Sequence, residues 1–267
     1  MPELPEVETR VREMRAPCVG QTITAVEVLW QRQVVVPDVA EFEQRLLGQT
    51  IQAVERRGKY LVFVLTHGCL LMHLRMSGDV LVLPSDAPRS HHLRFALTFA
   101  NQTTLHFQDA RKFGRLYWVA DPQQVFASLG AEPLTLAFTP VWLYRQLQHR
   151  RRTLKPLLLD QHIIAGLGNI YTDEALYLAG LHPLQNSQQV TLLQAYRLWV
   201  AIRSVLKAGI ANNGASIDWV YRGGGQQQHF NVYGRTGQAC PKCQTSIERR
   251  IVGQRSSHFC PVCQPLR

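Results

Sequence analysis

The sequence predicts an α+β multidomain protein: a β-rich N-terminal half led by one helix, a helical second part and a short cysteine-bearing tail. Three observations carry that expectation. Short apolar runs with turn residues between them fill residues 23–120. From residue 141 the apolar period becomes that of a helix. Residues 231–267 hold two Cys-x-x-Cys pairs.

The chain opens "MPELPEVETR". Pro5 suits the first turn of a helix, and Glu6 and Glu8 meet the positive end of its dipole. Val7, Val11 and Met14 recur at helical spacing, so one face can be buried. Pro2 and Glu3 lie ahead of a helix that already has its starting signals, and local structure alone leaves them unexplained.

Seven or so strand-like runs follow: Ile23–Trp30, Tyr60–Leu65, Cys69–Met76, Asp79–Leu83, His92–Ala100, Thr104–Phe107 and Arg115–Ala120. They are rich in Val, Leu, Phe and Tyr and are bounded by Gly, Pro, Asn and Asp, which predicts a sandwich or a flattened barrel. Gly130–Pro140 breaks the rhythm and reads as a linker. Helices are expected near 141–150, 153–163, 169–179 and 190–208. The expected domains are thus 1–130, a linker at 131–140, 141–230 and 231–267.

Lys and Arg number 29 against 19 Asp and Glu, a formal charge of +10 over 267 residues. Such an excess favours a polyanionic partner, nucleic acid before membrane. No apolar run of spanning length occurs, and the first 30 residues lack the basic–apolar–small order of a secretory leader. Cys18 and Cys69 stand alone rather than forming a disulfide framework, so a reducing, cytoplasmic location is expected.

Cys240 and Cys243 are separated by 16 residues from a second pair, Cys260 and Cys263. Each pair can present two thiolates from one tight turn, and two such turns complete a tetrahedron around one structural zinc ion. A redox role would need only one pair and a βαβ setting, which is absent. Two strands and a turn fit between the pairs. Residues 231–267 also carry six Arg or Lys against a single Glu, a charge suited to a groove or phosphate reader. Upstream, Gly166 and Gly168 precede a helix expected to begin near Asn169. This is either a packing turn or, beside Lys155, an anion clamp on a helix N-terminus.

The stretches "PELPEVET", "RRGKYL", "HLRMSG", "DARKFG", "GLGNIYTDEAL", "VYGRTGQACPKC" and "FCPVC" occur together and span the chain. In that combination the sequence resembles the formamidopyrimidine-DNA glycosylases, bacterial enzymes that remove oxidised purines from DNA. The resemblance implies an N-terminal β-sandwich, a helical domain with a helix–two-turns–helix motif and a C-terminal zinc hairpin, with damaged double-stranded DNA in the cleft and a monomeric enzyme. It gives Pro2 and Glu3 a purpose. Removal of Met1 would make Pro2 a terminal secondary amine, able to attack the sugar C1′ and form a Schiff base. Glu3 would serve as acid–base catalyst, with Glu6 shaping the same site. Lys59 is implied in the catalytic site, on a phosphate beside the lesion.

Met76, Arg111 and Phe113 match the family's three side chains that fill the void left by an everted base. Asn169, Lys155 and Arg255 match ligands for phosphate or the damaged nucleotide. Val220–Phe230 takes the place of the loop over the everted base, and its "GGGQQQ" yields no specific base contact. Two other readings are weighed. Relatives of the endonuclease VIII type, which act on oxidised pyrimidines, would open "PEGPE" and lack "HLRMSG". A non-catalytic zinc-ribbon DNA-binding protein would have no use for Pro2, Glu3 and Lys59.

Overall fold

The computed structural model describes residues 1–216 and 223–266. The chain forms two compact units, one built on Met1–Ala127 and the other on Ser128–Ala215 with Gly224–Arg267. Among the described residues no helix is long and apolar enough to cross a membrane.

The first unit begins with α1 (Leu4–Cys18), which has Pro5 in its first turn and buries Leu4, Val7, Val11, Met14 and Cys18 along one face. Then come β1 (Ile23–Val28), β2 (Val34–Val36), α2 (Val39–Leu46), β3 (Ile51–Arg57), β4 (Tyr60–Leu65), β5 (Cys69–His73), β6 (Gly78–Pro84), β7 (Leu93–Phe99), β8 (Thr103–Asp109), β9 (Arg115–Val119) and the single-turn α3 (Gln123–Phe126). The strands make two sheets, ordered β1-β7-β8-β6 and β2-β9-β5-β4-β3. All pairings are antiparallel except β2 with β9. Both sheets, α1 and α2 share one apolar core that includes Phe42, Phe63, Phe95, Phe99 and Phe107. This is the sandwich with a leading helix that the sequence predicts.

Four elements were not foreseen, one of them the single-turn α3. The β2 strand is three residues long and reaches the sheet edge by parallel pairing, so it carries no alternation to read. β3, "IQAVERR", has a buried-face pattern diluted by charge, and only its antiparallel register with β4 reveals it. α2 is an eight-residue helix signalled by its cap: Asp38 Oδ1 accepts from Glu41 N at 3.0 Å.

The second unit holds α4 (Pro140–Gln148), α5 (Leu154–Leu158), α6 (Asn169–Ala179), α7 (Leu192–Ala211) and the hairpin β10 (Glu248–Val252) and β11 (Arg255–Phe259). Thr139 caps α4 by accepting from Trp142 N at 3.1 Å. A reciprocal Thr191–Gln194 box starts α7, and Gly180, at φ 67°, ends α6 in the left-handed region. α6 packs on α7 so closely that a Cβ at Gly209 would meet the Tyr171 ring at 2.6 Å. The Gly130–Pro140 stretch is held down on this unit. Ala131 bridges to Ile164, Trp199 Nε1 donates to Phe138 O at 2.6 Å, and Arg203 Nη1 donates to Pro133 O at 2.8 Å.

The helix expected over 153–163 is shorter than its pattern. It stops at Leu158, because local side chains satisfy the backbone beyond it. Asp160 Oδ1 accepts from His162 N at 3.1 Å, and the Gln161 amide bonds Leu159 O, Leu167 O and Gly166 N at 2.8, 2.7 and 3.0 Å.

Candidate active site and nucleic-acid interface

The N-terminal corner is built on the start of α1. Pro2 is buried and Glu3 is 2% exposed at the N-cap position, with its N–H donating to Glu6 Oε2 at 2.8 Å. With Met1 in place the Pro2 nitrogen is part of an amide. The β3–β4 turn, with Gly58 at φ 57°, brings up Lys59, which is only 5% exposed. Arg56 ties this turn to α1: its Nε donates to Glu8 Oε2 at 3.2 Å and its Nη1 to Gly58 O at 3.0 Å. Cross-strand from Tyr60 sits His73, with ring centroids 4.7 Å apart. Burial first, then the Arg75 and Lys59 cations, lowers the His73 pKa to about 3, so its imidazole is neutral. Arg75 N donates to Nδ1 at 3.0 Å, which leaves the other nitrogen carrying the proton.

Just beyond His73 lie two loops that carry the expected wedges. Met76 and Phe113 are 38% and 44% exposed, large apolar side chains held out in solvent, and Arg111 is exposed beside them. The Arg111 guanidinium stacks 4.9 Å from the Phe113 ring centroid. Asp109 joins the loops. Its Oδ1 accepts from Ser77 Oγ and, at 3.2 Å, from Arg111 N, while Oδ2 accepts from Gly114 N at 2.7 Å.

In the second unit the loop shaped by Gln161 delivers Asn169 to the first position of α6. The Asn169 Oδ1 is buried and has no hydrogen-bond partner among the described residues. Gly253 and Gln254, at φ 55° and 61°, form the tight turn of the β10–β11 hairpin and leave Arg255 exposed at its tip.

Lys155, expected as a ligand for phosphate or the damaged nucleotide, lies inside the second unit. It is 0% exposed, and its Nζ lies 2.6 Å from Asp173 Oδ1 and 2.5 Å from Ser256 O. Asp173 Oδ2 in turn accepts from His258 N at 2.9 Å. A desolvated ammonium needs such partners, and here they clamp α5, α6 and β11 together. The neighbouring Glu174 takes backbone N–H groups of Asn231, Val232 and Tyr233 at 2.9–3.1 Å, anchoring the entry to the hairpin. Of the covering loop, residues 220–222 lie outside the described residues. Further along it, Gln226 Oε1 accepts from Asn212 Nδ2 at 2.8 Å, just past α7.

Cys240, Cys243, Cys260 and Cys263 converge with all four Sγ atoms within 4.8 Å of one another. Cys240–Cys263 and Cys243–Cys260 are 3.9 and 3.4 Å apart, near the ~3.8 Å edge of a tetrahedron with Zn–S bonds of about 2.3 Å. Lys242 N and Cys263 N approach Cys240 Sγ and Cys260 Sγ at 3.4 Å, and Tyr177 Oη lies 3.4 Å from Cys240 Sγ. Donor set and outer hydrogen bonds fit one structural zinc ion.

Residues 1–116 match the model of the formamidopyrimidine-DNA glycosylase N-terminal domain, residues 129–220 that of the H2TH domain and residues 237–266 that of the zinc finger found in FPG and IleRS. The chain is 46% identical over 273 residues to the formamidopyrimidine-DNA glycosylase of Chloroflexus aurantiacus, covering 99% of this chain and 98% of that one. It belongs to the formamidopyrimidine-DNA glycosylase family. The Protochlamydia amoebophila member is 42% identical, with 99% of each chain covered. A solved structure of MutM in complex with carbocyclic 8-oxo-G containing DNA superposes with a TM-score of 0.92 at 37% identity, covering 99% of this chain and all of that one. A complex of Lactococcus lactis Fpg with abasic-site DNA gives the same TM-score and identity, covering 98% and 99%.

Within this glycosylase family member, each unit assembles its own groups. Met76, Arg111 and Phe113 share one loop cluster in the first unit, and the four cysteines share one centre in the second. Sequence reading overlooked His73, Asp109, Gln161, Asp173 and Glu174. His73 and Asp109 lie inside "HLRMSG" and "DARKFG", which were read only for their wedges. Gln161 bonds groups 2 to 6 residues away without any repeating pattern, and Asp173 and Glu174 carry no local pattern because their partners are 18 to 85 residues away.

Proposed function

We propose that this protein is a bifunctional DNA glycosylase/AP lyase that excises oxidised purines, 8-oxoguanine and formamidopyrimidines, from double-stranded DNA. The observation that carries the reading is the placement of Pro2 and Glu3, both buried at the N-terminus of α1. Once Met1 is removed, Pro2 is a secondary amine whose protonated form is opposed by burial and by the positive end of the helix dipole. Unlike a lysine, such an amine is partly unprotonated at neutral pH.

The amine nitrogen bonds to C1′ as the bond from C1′ to the base breaks, and the N–H proton that the nitrogen sheds passes to the leaving base. Glu3 donates a proton to the ring oxygen as its bond to C1′ opens, which yields the iminium. The iminium draws electrons from C2′. Loss of the C2′ proton expels the 3′ phosphate, and loss of the C4′ proton then expels the 5′ phosphate. Lys59, beside neutral His73, holds a phosphate next to the lesion. Met76, Arg111 and Phe113 fill the vacated stack. Asn169 and Arg255 hold further phosphates without reading sequence. Zinc, when bound by the four cysteines, holds the hairpin folded, and four metal-held thiolates suit a cytoplasmic place of action at the nucleoid. The enzyme acts as a monomer.

Borohydride trapping on a duplex with 8-oxoguanine opposite cytosine tests this. The adduct should map to Pro2 in protein lacking Met1. An adduct on Lys59, or full activity in protein that keeps Met1, would refute it, and preferential trapping on oxidised pyrimidines would move the substrate class.

A further inference from the structure

We propose that Asp109 is a positioning residue for base eversion, locking the Met76 loop to the Arg111–Phe113 loop so that the three wedge side chains enter the duplex as one body. The proposal rests on the wedge reading of these side chains given above.

Asp109 is 1% exposed at the end of β8, and each of its oxygens is engaged. Two of its donors, Arg111 N and Gly114 N, belong to its own turn. A carboxylate serving only its own turn would need nothing more. The third donor, Ser77 Oγ, comes from the other loop, 32 residues away, and Ser77 Oγ itself accepts from Arg111 N at 3.0 Å. The two loops thereby share one three-centred network placed between Met76 on one side and Arg111 on the other.

The backbone is committed to the same arrangement. Arg75, next to Met76, and Lys112, between Arg111 and Phe113, both lie in the left-handed region at φ 54° and 59°, which residues with a Cβ rarely adopt. Gly114 cannot gain a Cβ: it would meet the Phe107 ring at 2.4 Å and Asp109 Oδ2 at 3.2 Å. Gly78 cannot either, since its Cβ would sit 2.4 Å from Leu74 O. The far end of the Met76 loop is held by Asp79, which accepts from the buried Arg10 on α1 at 2.5 Å. Lys112 is steadied by its Nζ lying 4.3 Å from the Trp30 ring centroid.

Unstacking a duplex step needs wedges that do not yield when pushed. Exposed Met and Phe side chains on independent loops would fold back onto their own surface. A shared buried carboxylate converts two mobile tips into one rigid tool, which is how an acidic residue in a basic DNA-binding surface contributes to rate without touching DNA.

The test compares Asp109→Asn, Ser77→Ala and Phe113→Ala on two substrates: a duplex with 8-oxoguanine opposite cytosine, and the same duplex with a pre-formed abasic site, where less unstacking is required. Asparagine keeps the shape but aims an NH2 at a donor. Asp109→Asn should lower excision from the 8-oxoguanine duplex about tenfold or more, with a smaller loss at the abasic site. The fluorescence rise of 2-aminopurine beside the lesion should fall in step. Asp109→Asn in the Phe113→Ala background should add little further loss, because both act through one wedge. Ser77→Ala, which leaves the Asp109 turn intact, should shift the same ratio by about threefold or more and covers the case in which Asp109→Asn does not fold. Equal losses on both substrates, or multiplicative effects with Phe113→Ala, would overturn the proposal and leave Asp109 as a turn residue. If Phe113→Ala itself lacks a duplex-selective loss, the wedge reading falls first. If Phe113→Ala shows that loss and Asp109→Asn and Ser77→Ala do not, the Asp109 assignment alone falls.

Discussion

Replacing Lys155 by methionine keeps most of the apolar stem and deletes the charge. The side chain is 0% exposed and Asp173 is 1% exposed, so removing the ammonium leaves a buried carboxylate that still accepts from His258. Breaking a buried ion pair from one side costs about 3–5 kcal/mol, a large part of the ~5–15 kcal/mol that holds a domain folded. At a urea slope of ~2 kcal/mol/M this lowers the unfolding midpoint by about 1.5–2.5 M. Zinc release is the appropriate probe, because Ser256 and His258 lie on the hairpin strand that leads into Cys260. Asp173→Asn added to Lys155→Met should restore part of the loss by removing the stranded charge. DNA affinity should fall in Lys155→Met, but its salt dependence should stay as in the parent. Arg255→Gln should instead reduce the salt slope by about one unit with little effect on stability. A Lys155→Met protein as stable as the parent, with a slope lowered by one, would show that Lys155 reaches phosphate and that the clamp is the wrong account.

Three further outcomes are expected. Cys243→Ser should leave the first unit folded but abolish DNA binding and zinc retention, since zinc supplies on the order of 10 kcal/mol to small sites of this kind; one zinc per chain with full affinity would refute the four-cysteine assignment. His73 has a folded pKa near 3 against an ordinary 6.5, so the unfolded chain binds the extra proton and stability falls as pH drops through that window. His73→Gln should therefore reduce the stability lost between pH 7 and pH 5 by about 2 kcal/mol in urea titrations at the two pH values, and an unchanged difference would mean the imidazole is accessible to protons. Gly78→Ala puts a Cβ 2.4 Å from Leu74 O and should lower stability by about 1–3 kcal/mol, read as a fall in Tm; an unshifted Tm would mean that the loop relaxes freely.

The sandwich and the zinc centre were legible because each leaves a short-range pattern, alternation or Cys-x-x-Cys spacing, whereas Met76, Arg111 and Phe113 stand out only through the resemblance carried by runs such as "HLRMSG" and "DARKFG". Lys155 shows where such reading stops. Its run "TLKP" announces a lysine near a Gly-rich loop, and exposure is the default for lysine. Its partner, Asp173, sits 18 residues on, inside another helix, and nothing in the intervening sequence pairs the two. β3 failed for a related reason: Glu55, Arg56 and Arg57 break its alternation, yet Arg56 is charged because it must reach Glu8 on α1. Pairings across distance decide both cases, and a single chain read locally does not display them.

The distribution of charge follows one logic across both units. With an excess of ten positive charges, acidic residues on a DNA-facing surface would repel the partner. Asp109, Asp173 and Glu174 are instead 1–3% exposed, and each accepts from backbone N–H groups that their loops would otherwise leave unsatisfied. Charge-assisted bonds of this kind are about twice as strong as neutral ones, so a few internal carboxylates can hold loops that lack regular structure. Neutralising one of them raises the net positive charge, which the long-range field rewards only weakly at physiological salt. The same change releases several oriented donors at once and lets the loop move. The local loss therefore outweighs the electrostatic gain, and these three carboxylates serve binding from inside the protein.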